Sequence, residues 1–167
     1  KPGPVAAVVV HRGDLDECER LAVEGFRIAW DHGDPNALLV YAGQILSVRR
    51  DQDRLHEVVG IAERMAEVYP RIPGLWTVAA LSRALLGQEE IARAAMMRVV
   101  GPGLDALPRD SIWLPAMCAL GETAVLLDDM PTARGVYDRL LPYEGRNAVI
   151  GAFGSWGIAS TVLGLLA

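Results

Sequence analysis

The three histidines are the residues of this chain whose type most readily supports acid–base chemistry or metal binding. His11, His32 and His56 could each act as a base or a ligand, but none lies three or four residues from another histidine or a cysteine. A zinc site needs about four converging nitrogen or sulfur ligands, and this spacing supplies no such set. We therefore expect three surface histidines, with no metal and no cofactor.

Two pairs of carboxylates could share a proton or bind a cation: Asp31 with Asp34, and Asp128 with Asp129. Both pairs fall where a helix is predicted to begin or end, and the helix dipole favours acids at helix starts. Capping is the simpler interpretation. A phosphate-binding loop needs a lysine, and the only lysine is Lys1. The sequence therefore predicts a protein that is not an enzyme.

A recurring polar turn organises the helices that must position any site. Gly13, Asp53, Gly87 and Asp128 mark four such turns, spaced 40, 34 and 41 residues apart. The residues seven positions before the markers are mostly small: Ala6, Leu46, Ala80 and Gly121. A period of this size predicts stacked helical hairpins. We expect a single all-α domain over residues 1–167, built as a right-handed superhelix of about four and a half antiparallel hairpins.

Caps, prolines and glycines predict where the helices begin and end. The predicted helices cover the end of one helix over 5–12, then 14–30, 37–50, 54–69, 75–86, 89–100, 111–127, 131–141 and 148–166. Asp14 is a candidate cap, and Pro131 fits the first turn of a helix. Because the pattern starts and stops within a repeat, we expect the chain to be a fragment of a longer polypeptide.

The segment 148–167 carries no charge over 20 residues, which is long enough for a membrane span. Gly151, Gly154 and Gly157 recur at the spacing of a small-residue stripe on packed helices. A solenoid helix covered on both sides is also apolar all round. We expect a packing helix through which copies could self-associate, and a membrane-anchored adaptor is the alternative.

Composition narrows the range of partners. Hydrophobic residues make up 51% and charged residues 22% of the chain, and the net charge is −5. Nucleic-acid binders usually carry a basic face, but the only adjacent basic pair, Arg49-Arg50, is followed by Asp51 and Asp53. We expect no direct nucleic-acid binding. Because the amino end lacks the pattern of a signal peptide, we expect a cytoplasmic location.

One hairpin and the end of the chain resemble a known family. The hairpin with Pro70, Trp76, Ala80, Gly87, Ala92 and Met96 resembles a degenerate tetratricopeptide repeat. Residues 137–147 and 163–167 resemble the repeat region of large bacterial regulators that carry an ATPase or nucleotide-cyclase module, often with a helix-turn-helix. The resemblance implies a non-catalytic protein-interaction module in a signalling or transcription regulator. Repeats of that family contribute no catalytic residue.

The resemblance also implies where a partner binds, because the first helix of each pair lines the concave face. Five residues on those helices are candidate contacts: Gln44, Arg49, Trp76, Arg83 and Trp113. The tryptophans could serve as anchors for a peptide, or they could be core residues. We expect the partner to be a protein or peptide, or a neighbouring domain of the same chain, and glutamate at positions 49 and 83 to weaken its binding.

A ligand-sensing domain is the alternative function. In that case a small molecule occupies the concave groove and changes the shape of the superhelix. A ligand that binds only the folded state raises its stability by mass action, so a melting temperature that depends on a small molecule would favour this alternative.

Overall fold

The computed structural model describes residues 14–150 and 155–167. Its helices and strands within these ranges are α1 Leu15–Asp31, α2 Ala37–Asp51, a 3-10 helix Leu55–Glu57, α3 Val59–Val68, α4 Leu75–Leu85, α5 Glu89–Val100, a 3-10 helix Leu104–Ala106, α6 Trp113–Leu126, α7 Met130–Leu140, a 3-10 helix Leu141–Tyr143, β1 Asn147–Val149, β2 Ser155–Ile158 and α8 Ala159–Leu166. The protein is therefore mainly helical, as expected, with a small antiparallel sheet that was not expected.

The polar turns have the backbone conformation that a tight helix-to-helix connection requires. Asp53, Gly87 and Asp128 have φ angles of 57°, 69° and 53°, all in the left-handed region. Glycine adopts this region freely, and aspartate is among the few other residues that tolerate it. Three of the four predicted turn markers are thus confirmed, while Gly13 and the helix predicted over 5–12 lie outside the described residues.

Local capping sets several helix starts as predicted. The carboxylate of Asp14 accepts a hydrogen bond from Glu17 N at 3.0 Å, and that of Asp129 accepts one from Thr132 N at 3.1 Å. Pro131 lies in the first turn of α7, where its missing N–H has no cost. The helix predicted over 54–69 is instead divided into a 3-10 turn and α3.

The helix predicted over 148–166 is wrong. Residues Asn147–Val149 and Ser155–Ile158 pair as antiparallel strands, and only Ala159–Leu166 is helical. Gly157 has a φ of 99°, a conformation that no right-handed helix contains. Each glycine also costs a helix about 1 kcal/mol, so a glycine-rich apolar segment gains by leaving the helix where strand pairing satisfies its backbone. Among the described residues, every helix falls short of the length and apolar character that a bilayer span requires.

Helix α6 lies at the centre of the larger hydrophobic core. It packs against α4, α7, α8 and both strands, and the cluster around it runs from Ala80 on α4 to Leu163 on α8. A smaller cluster at the other end consists of Ile45, Leu55 and Val58. Helix α4 packs along α3, α5 and α6, but α2 makes no comparable contact with α4. The described core is therefore in two parts, with a gap between α2 and α4.

Because α6 and α8 pack closely, we expect position 121 to require glycine, which can be tested. A Cβ atom there would lie 2.8 Å from Val162 Cγ1 and 3.2 Å from both Val136 Cγ1 and Leu166 Cδ1. Since Val162 is stiff about χ1, overpacking should exceed the gain in helix propensity. We expect Gly121→Ala to lower the free energy of unfolding in urea by about 1 kcal/mol. If Gly121→Ala had the same free energy of unfolding as the wild type, this packing would be contradicted.

The matched control is Gly60→Ala on α3, where a Cβ would meet no atom within 4 Å. It should leave stability unchanged or raise it by up to about 1 kcal/mol.

Candidate functional site

The two tryptophans predicted as partner contacts are engaged with the chain itself. Trp113 is only 5% exposed, with its ring centroid 5.2 Å from that of Tyr143. Trp76 is half-buried against the larger core, and the guanidinium carbon of Arg98 lies 4.5 Å from its ring centroid. Trp113 is thus a core residue, and a binding role for Trp76 stays a prediction.

The two arginines predicted as partner contacts are paired within the chain. Arg49 donates to Glu19 at 2.6 and 2.5 Å, and Arg83 donates to Glu63 at 2.8 and 2.5 Å. These hydrogen bonds hold the pKa of both carboxyl groups below the ordinary value. Gln44 is half-buried on α2. Binding by these three side chains stays a prediction.

The gap between α2 and α4 is an apolar cavity of about 140 Å³, which we call the α2–α4 groove. Its lining includes Leu39, Ala42 and Leu46 from α2, and Val78, Leu81 and Leu85 from α4. An engineered apolar cavity of roughly 150 Å³ binds benzene. The groove therefore has room for one ring or one branched aliphatic side chain.

Polar groups are few in the lining of the groove. Ser47 and Ser82 both line it, but each hydroxyl donates to a carbonyl one turn earlier on its own helix. The other polar side chains of the lining are those of Arg50, Asp51, Ser155 and Trp156. The groove thus combines an apolar interior with a polar end.

None of the five residues predicted from sequence lines the groove, although each stands next in the chain to one that does. The groove residues beside them are Gly43, Arg50, Leu75, Ser82 and Ile112. One residue along a helix turns a side chain by about 100° around the axis. Partner binding by the five predicted residues stays a prediction.

At the polar end of the groove, the lining residues Arg50 of α2 and Trp156 of β2 both contact Glu122 of α6. Arg50 Nη2 lies 2.7 Å from Glu122 Oε2, and Trp156 Nε1 donates to Glu122 Oε1 at 2.8 Å. The guanidinium carbon of Arg50 lies 4.5 Å from the centroid of the Trp156 ring. We call this cluster the Arg50–Glu122–Trp156 triad. Glu122 and Trp156 were not among the predicted site residues.

A buried thiol lies near Glu122 and Arg50 of the triad. Cys118 lies one turn before Glu122 on α6 and is 1% exposed. Burial, reinforced by the nearby Glu122 carboxylate, raises the pKa of the Cys118 thiol to about 12. A thiol with so high a pKa stays protonated near neutrality and is a poor nucleophile.

The other candidates for chemistry take structural positions. His32 Nδ1 lies 2.8 Å from the carbonyl oxygen of Ile28 at the end of α1, and His56 is exposed in a 3-10 helix. Within 14–150 and 155–167, no three histidine, cysteine or acidic side chains are grouped closely enough to hold a metal ion. His11 lies outside these ranges.

Compared with known proteins, the chain matches no protein-family model, no curated protein and no solved structure. The assignment of the site to the α2–α4 groove and its triad therefore depends on the geometry given above.

Proposed function

We propose that this chain is a non-catalytic binding module, a right-handed superhelix of tetratricopeptide-like hairpins within a cytoplasmic signalling or transcription regulator. The packed helix pairs α4–α5 and α6–α7 support the repeat architecture. Left-handed turns support it further, because Asp53, Gly87 and Asp128 each lie between the first and the second helix of one pair.

The α2–α4 groove carries the functional part of this proposal. It lies between helices that each come first in their predicted pair, and those helices form the binding face in tetratricopeptide-like superhelices. Its walls are apolar, and its volume of about 140 Å³ suits one anchoring side chain. Amphipathic peptides bind protein grooves through such anchors. The groove therefore takes a leucine- or phenylalanine-sized anchor of a protein or peptide partner.

A small molecule is the second candidate, because a single ring would also fill the cavity. The size of the cavity favours the peptide. Pockets for drug-sized ligands usually measure roughly 300–1,000 Å³, and this groove is smaller. A small molecule bound here would have to expose much of its surface.

A matched pair of valine variants tests the groove. Val78 lines the groove and is half-buried, so Val78→Phe places a ring in the space that the anchor needs. Peptides selected from a random displayed library on the wild-type protein should carry an apolar anchor, and Val78→Phe should weaken them at least tenfold, or about 1.4 kcal/mol. Fluorescence anisotropy of labelled peptides measures the effect.

The control is Val125→Phe on α6, where the side chain is 42% exposed and lies outside the groove lining. It should leave the affinity of the same peptides within twofold. Selected peptides that bind Val78→Phe as tightly as the wild type would show that their site is elsewhere.

A further inference from the structure

The indole of Trp156 is held as a bound ligand would be held. Two groups from two different helices contact it, the guanidinium of Arg50 over its face and the carboxylate of Glu122 at its N–H. Arg50 and Glu122 are themselves paired at 2.7 Å. Glu122 is 72 residues from Arg50 and 34 from Trp156, so the three groups meet only through the tertiary fold.

The contacts are selective for an indole. The ring face attracts a cation through its quadrupole, and the ring edge supplies a donor that meets an anionic acceptor in a charge-assisted hydrogen bond. A phenylalanine ring could take the first contact but has no donor for the second. Glu122, whose side chain is 15% exposed, would then keep one oxygen without its partner, which is costly when a charged group is partly buried.

Trp156 occupies this position on an extended segment beside the groove. It lies in strand β2, it is half-buried, and together with Arg50 it lines the α2–α4 groove. A partner segment that enters the groove therefore meets both side chains. The groove still has a volume of about 140 Å³ with Trp156 in place, so the tryptophan borders the space without filling it.

We propose that Arg50 and Glu122 form an indole-recognition subsite, that Trp156 is its intramolecular occupant, and that the partner brings an extended segment whose tryptophan takes the place of Trp156. The proposal rests on the proposed function in one respect only, since it places that partner in the α2–α4 groove. Trp156 then acts as an autoinhibitory side chain. A tethered occupant competes at a high effective concentration, so it weakens the apparent affinity of any indole from outside.

Removing the occupant tests the subsite directly. Trp156→Ala and wild-type protein are titrated with N-acetyl-tryptophanamide, and binding is followed by ¹H–¹⁵N spectra. We expect the variant to bind this probe at least tenfold more tightly than the wild type, with shifts at Arg50 and Glu122. The same probe methylated on the indole nitrogen cannot donate to Glu122 and should bind the variant at least fivefold more weakly. Equal affinities of the two proteins, or of the two probes, would overturn the subsite.

A second measurement keeps the proposal testable if Trp156→Ala does not fold. The wild-type chain has four tryptophans, and Trp156→Phe assigns which indole N–H resonance belongs to Trp156. Excess N-acetyl-tryptophanamide should move that resonance toward the position of a solvated indole and leave the other three in place. A resonance that stays fixed at saturating probe would contradict exchange of the occupant.

The outcome is separable from that of the groove test. Val78→Phe changes the apolar wall and should leave binding of the indole probe to Trp156→Ala within twofold. If the displayed peptides require Val78 while the probe causes no shifts at Arg50 and Glu122, the proposed function stands and the indole subsite fails. If the probe binds while no peptide depends on Val78, the subsite stands and the groove assignment fails.

Discussion

Replacing Leu120 with alanine should lower the free energy of unfolding by about 3–4 kcal/mol. Leu120 is fully buried in the larger core on α6, and α6 packs against α4, α7, α8 and both strands. A Leu→Ala change removes the transfer energy of the side chain and leaves a cavity. Urea unfolding followed by circular dichroism measures the loss, which is a large part of the roughly 5–15 kcal/mol that stabilises a typical domain.

The small residues of the larger core explain why the effect should be large. The core cluster contains many alanines: Ala80, Ala84, Ala92, Ala95, Ala116 and Ala148. Helices that meet through alanine have their backbones close together already, so they have little room to collapse into a new cavity. A cavity that cannot close costs more than one that can.

Leu126→Ala on the same helix is the control, since Leu126 is 45% exposed. It should cost less than about 1 kcal/mol. A loss at Leu120 as small as the loss at Leu126 would mean that α6 is not packed in the centre of the fold. Because Glu122 is two residues from Leu120, a displaced α6 would also disturb the Arg50–Glu122–Trp156 triad.

Local signals predicted most of the helices because the groups that end a helix are near it in sequence. Helix α5 runs over Glu89–Val100 as predicted, after the left-handed turn at Gly87 and before Gly101-Pro102. Asp129 caps α7 through Thr132, three residues away. Interactions of this range can be recognised without knowledge of the tertiary fold.

Local signals failed for the end of the chain because two structures satisfy the same apolar pattern. An uncharged segment with regularly spaced glycines fits a buried helix or a buried hairpin. What decides between them is non-local, since β1 packs against α6 and Ala148 is fully buried in the larger core. Glycine tolerates the φ of 99° found at Gly157, but the presence of a glycine does not by itself predict that conformation.

The groove and its triad were beyond sequence-based prediction for a related reason. Each of the five residues predicted from sequence lies one position in the chain from a residue that lines the groove, and one position corresponds to about 100° around a helix. In the sequence, Arg50 stands out only as half of a basic pair. Its partner Glu122 is 72 residues away, and Trp156 lies in a strand where the sequence predicts a helix.

Replacing Arg49 with methionine should lower the free energy of unfolding by about 2–3 kcal/mol. Its side chain is 9% exposed and joins Glu19 of α1 to Glu57 of the first 3-10 helix, with Nε 3.1 Å from Glu57 Oε2. Methionine keeps most of the packing volume and removes the charge, which leaves the Glu19 carboxylate facing an apolar neighbour, while Glu57 keeps its pair with Arg54. Breaking a fully buried pair costs about 3–5 kcal/mol. Here the carboxylates are 32% and 35% exposed, so water offsets part of the cost.

Arg54→Met is the matched control, because Arg54 also pairs with Glu57 but is 46% exposed. An exposed pair contributes about 0–1 kcal/mol, so this variant should be nearly as stable as the wild type. Urea unfolding of both variants at neutral pH separates a buried ionic contact from a surface one. If Arg49→Met were as mild as Arg54→Met, the contact between α1 and α2 would not depend on Arg49.

The pH dependence of the Arg49 effect gives an independent check of its cause. Hydrogen bonds from Arg49 hold the pKa of Glu19 below its ordinary value in the folded protein. A carboxyl group with a lowered folded pKa stabilises the protein above its unfolded pKa of about 4.3, and this contribution is lost as the pH falls through the folded value. The difference in stability between wild type and Arg49→Met should therefore be largest near neutral pH and shrink below about pH 4. A constant difference across this range would mean that lost packing, rather than lost charge pairing, destabilises the variant.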